Sequence, residues 1–181
     1  MNFKKICYAI FCSIASLGHL QTKPVQTLLG HKAPTFIATA LFADGSVGNF
    51  NLADYAGKKV VLYFYPVDNT PGCTKQAQNF RDGIAQLQDQ DIVLVGISCD
   101  SIESHKRFQK KYSLPYILVS DSRLHRSIGK KYPGTISFGC YKRKTFLINE
   151  NGIVIKIFDK INIDNQIQDI IKAFQVNACN K

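Results

Sequence analysis

Val60-Val61-Leu62-Tyr63-Phe64-Tyr65 is an unbroken run of β-prone apolar residues, the pattern of a strand covered on both faces. Pro66 ends it. Beyond Thr70-Pro71-Gly72 the period changes: Ala77, Phe80, Ile84 and Leu87 recur three or four residues apart, so a helix is expected to begin near Cys73 and to bury that stripe. Ile92 to Ile97 reads as a second buried strand, which makes a βαβ unit with parallel strands and a right-handed crossover. Asp100 followed by Glu103 resembles a capping pair, and Phe108 with Tyr112 gives the helix behind it a small apolar face. A further short helix is expected from Ser122 to Lys130. Thr145 to Ile148 and Ile153 to Phe158 are β-prone runs joined around Asn151-Gly152, a strong hairpin signal. Ile163, Ile167, Ile170, Ile171 and Phe174 then stand at helical spacing and predict a closing helix packed on the sheet.

A βαβ unit followed by a hairpin and a helix is the order of a thioredoxin-like α/β sandwich, a central mixed β-sheet flanked by helices. With 181 residues, 45% of them hydrophobic, the chain suits one domain, expected over residues 28–177. The start reads differently. Lys4 and Lys5 precede an uncharged apolar run from Ile6 to Leu17, followed by Gly18. That is the layout of a signal peptide over residues 1–18, with a cut after Ala15 or Gly18, and it predicts export, to the periplasm. The run is shorter than the roughly 20 residues that span a bilayer, so no stable membrane association is expected.

Of the six cysteines, Cys7 and Cys12 fall in the leader, leaving Cys73, Cys99, Cys140 and Cys179. They form no C-x-x-C pair, and the four histidines show no metal-ligand spacing; no metal is predicted. The formal net charge is +10, with basic clusters at Lys106-Arg107, Lys110-Lys111, Lys130-Lys131 and Lys142-Arg143-Lys144. No nucleic-acid recognition motif accompanies them, so they read as a solvated face rather than a nucleic-acid surface.

Cys73 has the one placement among these thiols that predicts reactivity. Its helix follows a strand ending at Tyr65, which puts it on the C-terminal edge of the sheet, where open α/β sheets carry their sites. Unpaired N–H groups and the positive end of the helix dipole favour a thiolate there. Position alone selects no substrate.

The segment Pro66-Val67-Asp68-Asn69-Thr70-Pro71-Gly72-Cys73-Thr74 resembles the P-x-x-x-T-x-x-C signature of peroxiredoxins. Its T-P-G-C-T form, followed by Gln76, Ala77, Phe80, Arg81 and Asp82, is similar to the bacterioferritin-comigratory (Q-type) branch. Gly30-His31-Lys32-Ala33-Pro34-Thr35-Phe36, Gly96-Ile97-Ser98-Cys99-Asp100 and Arg143-Lys144-Thr145-Phe146-Leu147-Ile148 resemble further family segments in the family's order. The resemblance implies a thiol-dependent peroxidase in which Cys73 attacks hydrogen peroxide or an organic hydroperoxide and becomes a sulfenic acid. It implies that Thr70 hydrogen-bonds peroxide and thiolate, that Arg143 supplies guanidinium donors, that Pro66 shields the sulfenic acid, and that Gln76 helps to orient Arg143. It implies no cofactor, and a thioredoxin-like protein as reductant; the chain is expected to be a monomer or homodimer.

The chain departs from the branch where a resolving cysteine belongs. The position five residues after Cys73 is Gln78, and Ser101 to Tyr112 holds no cysteine. Cys99, on the same sheet edge, and Cys140, three residues before Arg143, are the candidates. Each also reads as a small apolar residue, and a one-cysteine route through an external thiol stays open beside them. Two other functions remain in view, a general thiol–disulfide oxidoreductase, against which the missing C-x-x-C speaks, and a redox-inactive module binding anionic partners.

Overall fold

The computed structural model describes residues 27–179 apart from residue 123; the expected leader, with Cys7 and Cys12, lies outside the described residues, as does the side chain of Cys179. Among the described residues, nine strands and five α-helices follow in the order β1 (Ile37–Leu41), β2 (Val47–Asn51), β3 (Lys59–Phe64), α1 (Pro71–Asp82), α2 (Ile84–Gln88), β4 (Ile92–Ser98), α3 (Ile102–Tyr112), β5 (Ile117–Ser120), α4 (Ser127–Lys131), β6 (Ile136–Ser137), β7 (Cys140–Tyr141), β8 (Lys144–Ile148), β9 (Val154–Phe158) and α5 (Gln166–Cys179), with a 3-10 turn at Leu52–Tyr55 between β2 and β3. Seven strands form one mixed sheet in the order β2-β1-β5-β4-β3-β8-β9. β3, β4 and β5 run parallel, and the strands at both ends are antiparallel.

The apolar run of β3 divides between two cores because side chains alternate across a strand. Val60, Leu62 and Phe64 enter one core with Phe36, Phe50, Ile128, Tyr132 and Phe146. Val61, Tyr63 and Tyr65 enter the other with Ala77, Phe80, Leu87, Phe108, Ile170 and Phe174. Helices α1, α2, α3 and α5 therefore cover one face, while α4 and the separate β6–β7 hairpin cover the other. Phe80, fully buried between the Tyr63 and Tyr116 rings, is the kind of anchor whose truncation to alanine costs about 3–5 kcal/mol.

The structure corrects four expectations. The stripe from Ala77 to Leu87 lies on two helices rather than one, because the chain breaks at Gly83. A side chain there would put its Cβ 2.7 Å from Ile167 of α5, so the break lets α5 seat closely. The cap of α3 is Ser101, which accepts from the Ser104 N–H at 3.3 Å, and Asp100 instead accepts from the Asp68 N–H at 2.9 Å and the Ser98 hydroxyl at 2.8 Å. The fourth helix begins at Ser127 rather than Ser122. The buried Asp121 carboxylate accepts from the N–H groups of Ile128 at 2.9 Å and Gly129 at 3.1 Å, and this upstream cap fixes the start. The closing helix begins at Gln166, which leaves Ile163 before it. The hairpin of β8 and β9 turns at Asn149 to Gly152, where the Asn149 side chain accepts from the N–H groups of Asn151 and Ile153.

Candidate active site

The loop that leaves β3 is tied down before it reaches α1. Asp68 is buried in it and accepts from the Tyr65 hydroxyl at 2.8 Å and the Ser104 hydroxyl at 2.8 Å, and its carboxylate faces His105 Nδ1 at 2.9 Å. His105 is fully buried and turns its other nitrogen, Nε2, to the Val119 carbonyl at 3.3 Å. Burial, with the Asp68 carboxylate second, pushes the Tyr65 phenol well above its ordinary range, so it stays a donor. The loop is thus pinned to α3, and through His105 to β5, by buried hydrogen bonds.

From that anchor the chain passes through Asn69, held at φ 60°, to Thr70, the N-cap of α1, with Pro71 at the helix start. The Thr70 side chain makes no capping bond; its hydroxyl donates to the Val67 carbonyl at 3.1 Å. The first N–H groups of α1 are therefore left without a side-chain cap. Cys73 is the third residue of this helix. It belongs to the buried cluster that also holds Tyr63, Tyr65, Ala77 and Phe80, and it is 2% exposed.

Arg143, just before β8, reaches the sulfur from the neighbouring strand. Nη2 donates to Cys73 Sγ at 3.6 Å and Nη1 donates to Gln76 Oε1 at 2.6 Å. The guanidinium passes directly over Gly72, where an added Cβ would lie 3.0 Å from Nη2. Glycine at this position thus lets the cation sit against the helix start. The arrangement combines a buried sulfur, a guanidinium and uncapped helix donors, which can donate to an oxygen bound beside the sulfur.

The structure thus joins Cys73, Arg143 and Gln76 by direct contacts and puts Pro66 and Thr70, both half-buried, on the loop leading into the helix. It does not bring Cys99 to Cys73. Cys99 directly follows β4 and Cys73 stands in the helix after the neighbouring parallel strand β3, but Cys99 belongs to the opposite core, with Phe64, Ile128 and Tyr141. Sharing a sheet edge did not place the two thiols on one face. Cys140 is half-buried in β7, and Cys73, Cys99 and Cys140 all stand as thiols without a disulfide. The sequence reading missed Asp68, His105 and Gln166. For His105 there was a signal, since it shares the helical face of Phe108 and Tyr112 and is therefore a polar residue in an apolar stripe.

The chain is similar to known proteins over most of its length. The AhpC/TSA family model matches residues 29–157. A peroxiredoxin bcp of Coxiella burnetii is 39% identical over 154 residues, covering 79% of this chain and 95% of that protein. Peroxiredoxin Bcp of Bacillus subtilis is 35% identical over 159 residues, covering 81% and 94%. Among solved structures, Xanthomonas campestris peroxiredoxin Q aligns with a TM-score of 0.69 at 26% identity over 79% of this chain and 91% of that one. A reduced 2-Cys peroxiredoxin of Plasmodium vivax aligns with a TM-score of 0.76 at 30% identity over 84% and 99%.

Proposed function

Since this chain belongs to the AhpC/TSA family and is a thiol-dependent peroxidase, we propose that Cys73 is the sulfur that attacks the peroxide. The observation that carries the assignment is the Arg143 guanidinium donating to Cys73 Sγ at an uncapped helix start. In the reaction the Cys73 thiolate attacks the terminal oxygen of a hydroperoxide. An S–O bond forms, the O–O bond breaks, and the departing oxygen takes a proton to leave as water or an alcohol. Arg143, already against the sulfur, donates to the oxygens as charge moves onto them, and Thr70 turns its hydroxyl to the bound peroxide. Pro66 shields the sulfenic acid that results.

The substrates in this reading are hydrogen peroxide and small organic hydroperoxides; a Xanthomonas campestris relative is described by its alkyl peroxide reduction activity. A thiol of a thioredoxin-like reductant then attacks the sulfenic sulfur, releasing water and forming a mixed disulfide that the reductant's second thiol resolves. The seat of Cys99 on the opposite face supports this external route. The basic, apolar N-terminal pattern supports export of the protein, and recovery from its source cells with residues 1–18 still attached contradicts it.

Stopped-flow oxidation with intact-mass analysis tests the reading. Wild-type protein is expected to gain one oxygen at Cys73 and to keep it until a thiol is added, and Cys73→Ser is expected to gain none. Oxidation of Cys73→Ser at the wild-type rate overturns the assignment, and a mass loss of two hydrogens that vanishes in Cys140→Ser replaces the external route with Cys140.

A further inference from the structure

The guanidinium of Arg143 is held by more than Gln76. Gln76 is fully buried, and its Nε2 donates to Gln166 Oε1 at 2.9 Å; Gln166, 4% exposed, donates in turn through Nε2 to Thr145 Oγ1 at 3.3 Å. The direction of this chain is dictated from one end. A guanidinium only donates, so Gln76 must present its oxygen to Arg143 and its NH2 to the next group. Gln166 must then present oxygen to Gln76, which leaves its NH2 for the threonine hydroxyl. Thr145 lies two residues beyond Arg143 and is itself fully buried. The chain therefore closes back beside the residue it started from, through three elements, α1, α5 and β8.

We propose that Gln166 is a positioning residue for the peroxidase reaction: through Gln76 it holds the Arg143 guanidinium against Cys73, and so makes α5 part of the active site. This rests on the reading of Cys73 and Arg143 given above. Without an acceptor at 166, the buried Gln76 NH2 loses its partner. Its amide then has no fixed orientation and can offer Arg143 a donor where an acceptor is needed. Leaving a buried donor unpaired is costly enough for Gln76 to move rather than stay in place.

The test is a double-mutant cycle on the second-order rate of Cys73 oxidation by hydrogen peroxide, with thermal unfolding recorded for each protein. Gln166→Leu is expected to slow oxidation roughly ten-fold, and to slow it less than two-fold further in an Arg143→Ala background. A merely structural role would slow both backgrounds equally, and that outcome overturns the proposal. Gln166→Glu keeps the oxygen that Gln76 requires and is expected to stay within about three-fold of wild type. It decides the matter alone if the leucine variant does not fold, since a glutamate variant as slow as Arg143→Ala overturns the relay. Slow oxidation by Arg143→Ala combined with a wild-type rate in Gln166→Leu sinks the relay and leaves the role of Arg143 intact. A wild-type rate in Arg143→Ala instead removes the reading on which the relay rests.

Discussion

Cys73 and Cys99 make a natural pair for comparison. Each follows a strand of the same parallel pair, β3 and β4, and each is buried, at 2% and 7% exposure. They differ in what surrounds them. The Cys73 side has a helix start and the Arg143 guanidinium. On the other face, Cys99 lies near the Tyr141 hydroxyl, which donates to the Asp121 carboxylate. Burial, then Asp121, then Cys99 push the Tyr141 phenol above its ordinary range, as expected where nearby negative charge is unwelcome. The sheet face, more than depth or position along the strand, separates the surroundings of the two cysteines, a guanidinium beside Cys73 and a carboxylate-bound phenol near Cys99.

The comparison breaks most sharply at the sulfur itself. Cys73→Ser is expected to abolish peroxide consumption, and Cys99→Ser to leave the first oxidation step at the wild-type rate; stopped-flow traces of the two side by side check this. Next comes the charge. Arg143→Ala is expected to lower the oxidation rate by about two to three orders of magnitude, the range for loss of one donor to a developing oxyanion, and initial rates across a peroxide series measure it. Gly72→Ala should act more weakly, by roughly ten-fold or less on the same rate, because its Cβ would meet Arg143 Nη2 at 3.0 Å and a flexible guanidinium yields. Tyr141→Phe sharpens the contrast from the other side. It removes a buried donor to Asp121 and is expected to cost about 1–3 kcal/mol in urea unfolding, while oxidation of Cys73 proceeds unchanged.

Much of this was legible in the chain. The run from Val60 to Tyr65 marks a strand covered on both faces because nothing polar interrupts it, and the period change at Thr70 to Cys73 marks the helix start. The Asn151-Gly152 turn gave the β8–β9 pair. The motif residues Cys73 and Arg143, and the contact of Arg143 with Gln76, were anticipated through the family likeness, since spacing alone says nothing about residues 70 positions apart. The first hairpin went unnamed although Asp44-Gly45 signals it: Asp44 accepts from the Ser46 N–H at 2.9 Å and Gly45 sits at φ 84°. What sequence reasoning cannot supply is the partnering of isolated polar residues. Gln166 looks like any first-turn helix residue, and only the packing of α5 on β8 and α1 brings it to Gln76. The break at Gly83 was hidden for the same reason, because its cause is Ile167 of another helix.

The buried knot at Asp68 sets limits on how the molecule can yield. In the reading proposed above, a bulky thiol reaches a sulfur this enclosed only if the first turns of α1 unwind. Upstream, such a movement meets the carboxylate clamped by Tyr65, Ser104 and His105. Downstream it meets Phe80, wedged between two tyrosine rings. In that reading the travel available to Cys73 is bounded at both ends, and the rest of the sheet need not be disturbed.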